Sequence, residues 1–298
     1  MRVLITGGTG QLGLALQRTC MAAGDEMNSL GSAQCSVADR EAVLQVVGAW
    51  RPTVIMHCGA WTDVDGCEQN PEHAMLVNAW GSRNVAEAAA QVGARVVGVS
   101  TDYVFDGRGA GPAGGRPYNE WDETNPLNEY GRSKLAGERE LIDRLGGDAC
   151  IVRTAWVCGA EGKNFLRTML RVADEGAAEA RPVTVVDDQH GSPTFTDDLA
   201  AVLRELAVRR VGGVFHVSNP GRTTWHGFAA AIFAMSGHNP DRVKPVSSAD
   251  LLPVRPAPRP GFSLLGSVAR DALGLHPLAE WQVALERTLR TMGRFAGA

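Results

Sequence analysis

The chain has 298 residues, 44% of them hydrophobic, enough to bury a substantial core in one or two domains. A net charge of −4 and the absence of a long basic run exclude the electrostatic signature of a nucleic-acid or anionic-membrane binder. The opening MRVLIT passes straight into glycines, with no apolar stretch of secretory or membrane-spanning length, so the expectation is a cytoplasmic protein without nucleic-acid or membrane partners.

Up to about residue 158, short β-branched runs alternate with longer helical patterns. RVLIT at 2–6, EMNSL at 26–30, TVIMHC at 53–58, ARVVGVS at 94–100 and CIVRTA at 150–155 read as strands, with helices over 10–23, 39–49, 71–92 and 128–145 between them. That alternation predicts an α/β fold, a doubly wound parallel sheet of Rossmann type. Residues 159–298 are less regular: helices near 163–176, 197–210, 224–237 and 278–292, and strands at 182–186 and 213–218. PVRPAPRPGF at 253–262 is too proline-rich for helix or central strand and is expected on the surface. The reading is a dinucleotide-binding domain over 1–158 and a smaller, irregular α/β substrate-binding lobe over 159–298, with the chain free to cross between them. Six cysteines without a C-x-x-C read as reduced, mostly buried small hydrophobes, and scattered histidines give no support for a metal site.

The first helix is entered through TGGTGQLG, residues 6–13. Gly7, Gly10 and Gly13 stand where the first strand ends and the first helix begins, so backbone approaches a pyrophosphate at a helix N-terminus, with Gln11 and Leu12 in the same turn. The second, independent signal is YGRSK at 130–134. With only three tyrosines and three lysines in the chain, a tyrosine four residues before a lysine is a rare coincidence. On a helix Tyr130 and Lys134 share a face, and the ammonium is expected to pull the phenol's pKa down, making Tyr130 a proton donor to a carbonyl under reduction. Ser100 and Thr101 end the fourth strand, at the edge where ligands bind in open α/β sheets, so a hydroxyl there is placed to hold a substrate oxygen.

These residues resemble the extended short-chain dehydrogenase/reductases. More narrowly, STDYVFDG (100–107), NPLNEYGRSKLAGE (125–138), RTAWVCG (153–159), DDQHGSPTF (187–195), TTWHGFA (223–229), RPAPRPGFSLL (255–265) and EWQVALERTL (280–289) are similar, in order, to the dTDP-4-dehydrorhamnose reductase family. The resemblance implies reduction of the 4-keto group of a dTDP-linked 6-deoxyhexose by NADPH or NADH, with Tyr130 as proton donor, Lys134 tuning it and holding the ribose, and Thr101 orienting the oxygen. It further implies a cofactor site that includes Asp39, Gly59, Ala60, Tyr130 and Lys134 beside the glycine loop. Asp102 and Tyr103 would lie beside the sugar, and Trp156, Asn164, Gln189 and Arg255 around the nucleotide diphosphate.

Some positions depart from the family pattern. Members with a metal-bridged dimer carry a glutamate where this chain has Ala15, so no such metal is expected, and monomer or homodimer stays open. HCGAWT (57–62) replaces a more usual Asn-Ala-Ala, and GSAQCS (31–36) offers neither an acid for a ribose hydroxyl nor an arginine for a 2′-phosphate, leaving NADH against NADPH undecided. The loop GRGAGPAGGRPY after Asp106 is expected to move before substrate arrives. Three alternatives stand beside the main reading: a reductase of another dTDP-4-keto-6-deoxysugar, an epimerase or dehydratase, and a non-catalytic dinucleotide-binding regulatory subunit. The dehydratase pattern needs an acidic pair where this chain has Asp102-Tyr103, and an intact Thr101, Tyr130 and Lys134 set argues for catalysis.

Overall fold

The computed structural model describes residues 1–111, 115–177 and 180–297. Six strands form one parallel sheet in the order β10-β5-β4-β3-β1-β2: β1 (Arg2–Thr6), β2 (Glu26–Leu30), β3 (Val54–His57), β4 (Arg95–Thr101), β5 (Ala149–Thr154) and β10 (Gly213–His216). Shorter strands β6 (Val157–Cys158), β7 (Val183–Val186), β8 (His190–Gly191) and β9 (Thr194–Phe195) precede β10, and β11 (Thr223–Thr224) and β12 (Val243–Val246) follow it. The helices are α1 (Gln11–Ala22), α2 (Arg40–Trp50), α3 (Val64–Gln69), α4 (Pro71–Ala74), α5 (Gly81–Val92), α6 (Glu129–Leu145), α7 (Phe165–Glu175), α8 (Thr196–Arg209), α9 (Trp225–Met235), α10 (Val268–Ala272) and α11 (Trp281–Thr291).

Successive side chains of a strand point to opposite faces, so a strand buried on both faces must be apolar at every position. In β1, Val3 and Ile5 join one core with α1 and α8, while Leu4 joins the other with α2, α5 and α6. Val54 and Met56 of β3 follow Val3 and Ile5, and Ile55 follows Leu4, because Leu4 pairs with Ile55 and Ile55 with Val96 across the register. Each such side chain is worth about 1.5–3 kcal/mol of burial. A third core, around Leu166, Phe228, Phe233, Trp281 and Leu285, lies between α7, α9 and α11.

The sheet order reverses at β1, which has β2 on one side and β3 on the other, so the loops after β1 and β3 frame a crevice at the carboxyl ends of the strands. Residues beyond 158 also complete this layer: α8 packs on α1, and β10 returns to pair with β5. The single helix expected over 71–92 is α4, a π-helical turn Met75–Trp80 and α5, and α3 precedes it where the sequence carried no helical signal. Of the loop after Asp106, residues 112–114 lie outside the described residues. Its described parts are pinned by the Tyr118 hydroxyl, which accepts from the Arg108 and Gly109 amides and donates to Asp106. The proline-rich segment is exposed at Leu252 and Val254 but builds Ala257, Pro260 and Phe262 into the protein.

Candidate active site

The glycine loop is tight for identifiable reasons. Gly7 has a φ of +67°, and a Cβ there would sit 2.8 Å from the backbone of Cys58 and Gly59, the loop after β3. A Cβ on Gly13 would lie 2.4 Å from the Gly7 carbonyl oxygen, so the first turn of α1 closes on the loop only with glycine at that position. Gly10 begins α1 with no side-chain cap and no acidic residue in the first turn. That leaves the N-terminal amides and the positive end of the helix dipole facing the crevice, which fits an anionic dinucleotide phosphate. Leu12 of this turn is buried in the core, and Gln11 donates to the Val157 carbonyl while its own carbonyl accepts from Asn164.

Behind the crevice a buried polar chain joins β1, β3 and α6. The Thr6 hydroxyl lies 2.8 Å from His57 Nδ1, His57 Nε2 lies 3.2 Å from the Ser82 hydroxyl, and Ser82 donates to the Asn78 carbonyl. Burial, with Lys134 nearby, pulls the His57 pKa down to about 3, so the ring is neutral and carries one donor and one acceptor nitrogen. Since the Ser82 proton goes to Asn78, His57 donates from Nε2 and accepts from Thr6 at Nδ1. Asn78, in the π-helical turn, donates to the Trp61 carbonyl and the Ser133 hydroxyl and accepts from the Trp61 amide. HCGAWT is thereby tied to α6. The Gly59 amide is engaged by the Thr6 hydroxyl at 3.2 Å, and half-buried Ala60 follows it in that loop.

Helix α6 carries the stripe Tyr130, Lys134, Glu138. Asn128 caps it by accepting from the Gly131 amide at 2.9 Å. A Cβ on Gly131 would come 2.2 Å from the Tyr103 carbonyl oxygen, so this glycine lets α6 press against the turn after β4 and sets the Tyr130 phenol beside the Thr101 hydroxyl. Lys134 is 7% exposed and donates to the Val99 carbonyl at 2.8 Å. Burial lowers its pKa to about 8, with the Glu138 charge working against that fall. Glu138 forms a buried bidentate pair with Arg153, at 2.9 and 2.7 Å, and accepts from Ser100 at 2.5 Å. The sequence expectation that Lys134 depresses Tyr130 is corrected here. Burial raises the phenol's pKa, opposed by Thr101 and reinforced by Asp102, because desolvation of the anion outweighs every nearby stabilising group.

Other expected site residues make these contacts within the protein. Asp39 is exposed and caps α2, accepting from the Ala42 amide at 3.1 Å. Asn164 caps α7 and donates to Gln11, to Gly159 and to Glu161, so its side chain is fully engaged. Trp156, at φ +47° and partly exposed, stacks on Trp225 at 3.8 Å and lies against Gly191, where a Cβ would meet the indole at 2.6 Å. Gln189 is buried and donates to Ser248.

Asp102 is 2% exposed, and Tyr103 packs edge-on against Tyr130 at 5.6 Å. Arg255 is exposed, whereas Arg259 reaches in to pair with Asp65 at 2.7 and 2.8 Å and bonds the Tyr103 hydroxyl. Sequence reasoning did not single out Arg259, Asp65 and Trp225, which make these contacts. Two arginines four residues apart in one proline-rich run look alike in one dimension, and nothing marks Asp65 as the partner of either. Glu138, one turn beyond Lys134, was legible by the same spacing rule that joins Tyr130 to Lys134. Among the described residues no group of three or more His, Cys, Asp or Glu could hold a metal ion. A cavity of about 200 Å³ lined by Asp198, Glu205, His276 and Arg287 shares no residue with this site.

Comparison with known proteins follows the same lines. The dTDP-4-dehydrorhamnose reductase of Streptomyces griseus is 41% identical over 99% of this chain and 95% of that protein, and the one of Mycobacterium tuberculosis is 45% identical over 97% and 92%. The crystal structure of dTDP-4-dehydrorhamnose reductase from Bacillus anthracis in complex with NADP superposes with a TM-score of 0.90 at 36% identity, covering 97% of this chain and 99% of that one. The sequence profile of the RmlD substrate binding domain matches residues 1–294. The chain belongs to the RmlD substrate-binding family.

Proposed function

We propose that the protein is an NAD(P)H-dependent oxidoreductase that reduces the 4-keto group of dTDP-4-dehydrorhamnose to give dTDP-L-rhamnose. The observation that carries the chemistry is the Tyr130 phenol beside Thr101 at the carboxyl end of β4, with Lys134 one turn along α6 and the glycine cradle of α1 on the same edge of the sheet. A bound dihydronicotinamide supplies hydride to the carbonyl carbon.

The chain's own residues do the rest. Backbone amides along the first turn of α1 hold the pyrophosphate, while the Gly10 amide closes the turn onto the Gly7 carbonyl, Gly7 and Gly13 allow the approach and Gly59 and Ala60 close the other side. A buried phenol with a raised pKa keeps its proton at neutral pH, so Tyr130 is a donor to the oxygen that becomes negative as the carbon is reduced. The phenolate left behind is stabilised by the Lys134 ammonium, mostly charged at neutral pH, and regains a proton from solvent. Thr101 holds the oxygen in line, and Tyr103 and Arg259 line the sugar-nucleotide side. Residues 1–158 carry mainly the cofactor side, and 159–298 mainly the sugar nucleotide. Among the described residues no helix is long and apolar enough to cross a membrane. Six free cysteines, five of them buried, support a reducing, cytoplasmic setting.

The test is the absorbance of NADPH, and separately NADH, during incubation with dTDP-4-dehydrorhamnose. Oxidation with formation of dTDP-rhamnose is expected, and the faster cofactor identifies the preference. No oxidation with either would overturn the assignment.

A further inference from the structure

The group in the site that the reaction as written does not use is the Asp102 carboxyl. It is 2% exposed, its Oδ1 accepts from the Thr101 hydroxyl at 3.0 Å, and its Oδ2 lacks a well-formed hydrogen bond, with the Ser263 hydroxyl nearby as a donor to the carboxyl. A buried carboxylate oxygen without a well-formed bond is costly, and burial accordingly raises the Asp102 pKa to about 6, with Ser263 and Thr101 working against the rise. Thr101 is also the acceptor for the Tyr103 amide at 3.2 Å and stands beside the Tyr130 phenol.

A hydroxyl has one proton and two lone pairs. When Asp102 is ionised it takes the Thr101 proton, and Thr101, already accepting from Tyr103, can only accept from Tyr130. Every hydroxyl proton then points inward, toward the carboxylate. When Asp102 is protonated it donates to Thr101, whose own proton is released toward Tyr130 and the substrate oxygen.

We propose that Asp102 is a positioning residue that sets, through Thr101, the direction in which the hydroxyl protons of the active site point. Its effect on turnover rests on the reductase reading above. The titratable groups around it are few. Tyr130 faces it from α6 and Tyr103 from its own turn, Arg259 and Arg255 act on Tyr103 from the 253–262 segment, His190 of β8 bonds the Ser263 backbone, and Arg153 of β5 is engaged by Glu138.

The experiment compares wild type with Asp102→Asn, Thr101→Val and the double variant. An amide at 102 donates to Thr101 at every pH. The kcat of wild type is expected to fall roughly tenfold from about pH 5.5 to about pH 7.5 as Asp102 ionises, and Asp102→Asn to lose that limb while Tyr130 and Lys134 remain. In the Thr101→Val background the same change at 102 should have no effect on the profile.

A substrate-independent readout is tyrosinate absorbance, assigned by difference from Tyr130→Phe: Asp102→Asn should lower the Tyr130 midpoint by about one pH unit, and the drop should be clearly smaller in the Thr101→Val background, where only the loss of the Asp102 charge remains. An unchanged limb in Asp102→Asn, or an equal midpoint drop with and without the Thr101 hydroxyl, overturns the proposal. If Asp102→Asn does not fold, Thr101→Ser and Thr101→Val serve instead, since the limb should survive in the first and be lost in the second. A wild type that oxidises neither cofactor condemns the reductase reading, while the absorbance titration still decides the role of Asp102.

Discussion

The two walls of the site are built differently. The wall made by β4 and α6 is held by buried bonds: Asn78 to Ser133, Lys134 to the Val99 carbonyl, and Glu138 to Arg153 and Ser100. The wall made by residues 253–262 is a strap. Arg259 and the Ala257 amide grip Asp65, Asn128 donates to the Pro258 carbonyl, and Phe262 donates to the Gly107 carbonyl, but Leu252 and Val254 are exposed. Chemistry that needs a fixed proton donor sits on the first wall, where desolvation strengthens each interaction; the second wall, held by a partly exposed ion pair and a few backbone bonds, is suited to recognition.

The sharpest way to break this contrast is at the rigid wall. Tyr130→Phe should lower kcat about 10²- to 10⁴-fold with Tm and cofactor affinity unchanged, read by steady-state kinetics and thermal melting. Full activity in that variant would remove the proposed donor. Glu138→Ala leaves Arg153 buried without its partner and should cost about 3–5 kcal/mol of stability in chemical denaturation. A loss below about 1 kcal/mol would mean that the pair is not what holds α6.

At the strap the effect should be smaller and of a different kind. Arg259→Ala should raise KM for the sugar nucleotide about three- to tenfold with little change in kcat. The Asp65 pKa is held below the usual carboxylate range, chiefly by Arg259. A lowered folded-state pKa means the pairing is fully present above the ordinary carboxylate value and is lost as pH falls through the lowered one. Wild-type KM should therefore rise on acidification and Arg259→Ala should not show that rise. Smallest of all, Asp39→Ala should lower Tm by about 2 °C through loss of the α2 cap and leave the KM for cofactor unchanged. An increased cofactor KM would return Asp39 to the dinucleotide site.

The sheet was legible because β1, β3, β4 and β5 carry unbroken runs without a polar side chain at their centres, Val3–Ile5, Val54–Met56, Val96–Val99 and Cys150–Val152, the mark of strands covered on both faces, and the observed ends differ from the expected ones by at most a residue. TGGTGQLG and YGRSK were legible because a turn and a helix face are local: Gly7 needs its positive φ wherever the fold goes, and Tyr130 and Lys134 are neighbours by helix geometry alone. The π-helical turn was not, since its widened backbone answers contacts that span the chain, Asn78 with Trp61 and Ser133, and Gly137 of α6 close against the Asn78 carbonyl.

Only the tertiary structure decided which polar residues are free. Asp39, Gln11 and Asn164 have the chemistry of ligand contacts, yet a helix end or an interlobe bond satisfies each, while Arg259 was distinguished from Arg255 by Asp65 lying 194 positions away in sequence. Tertiary packing also reversed the expected direction of the Tyr130 shift, because the charge of Lys134 was readable from spacing but the desolvation that outweighs it depends on everything packed around the phenol. Local sequence determined the strands, the phosphate turn and the Tyr130–Lys134 face; burial and long-range pairing assigned the work of each side chain.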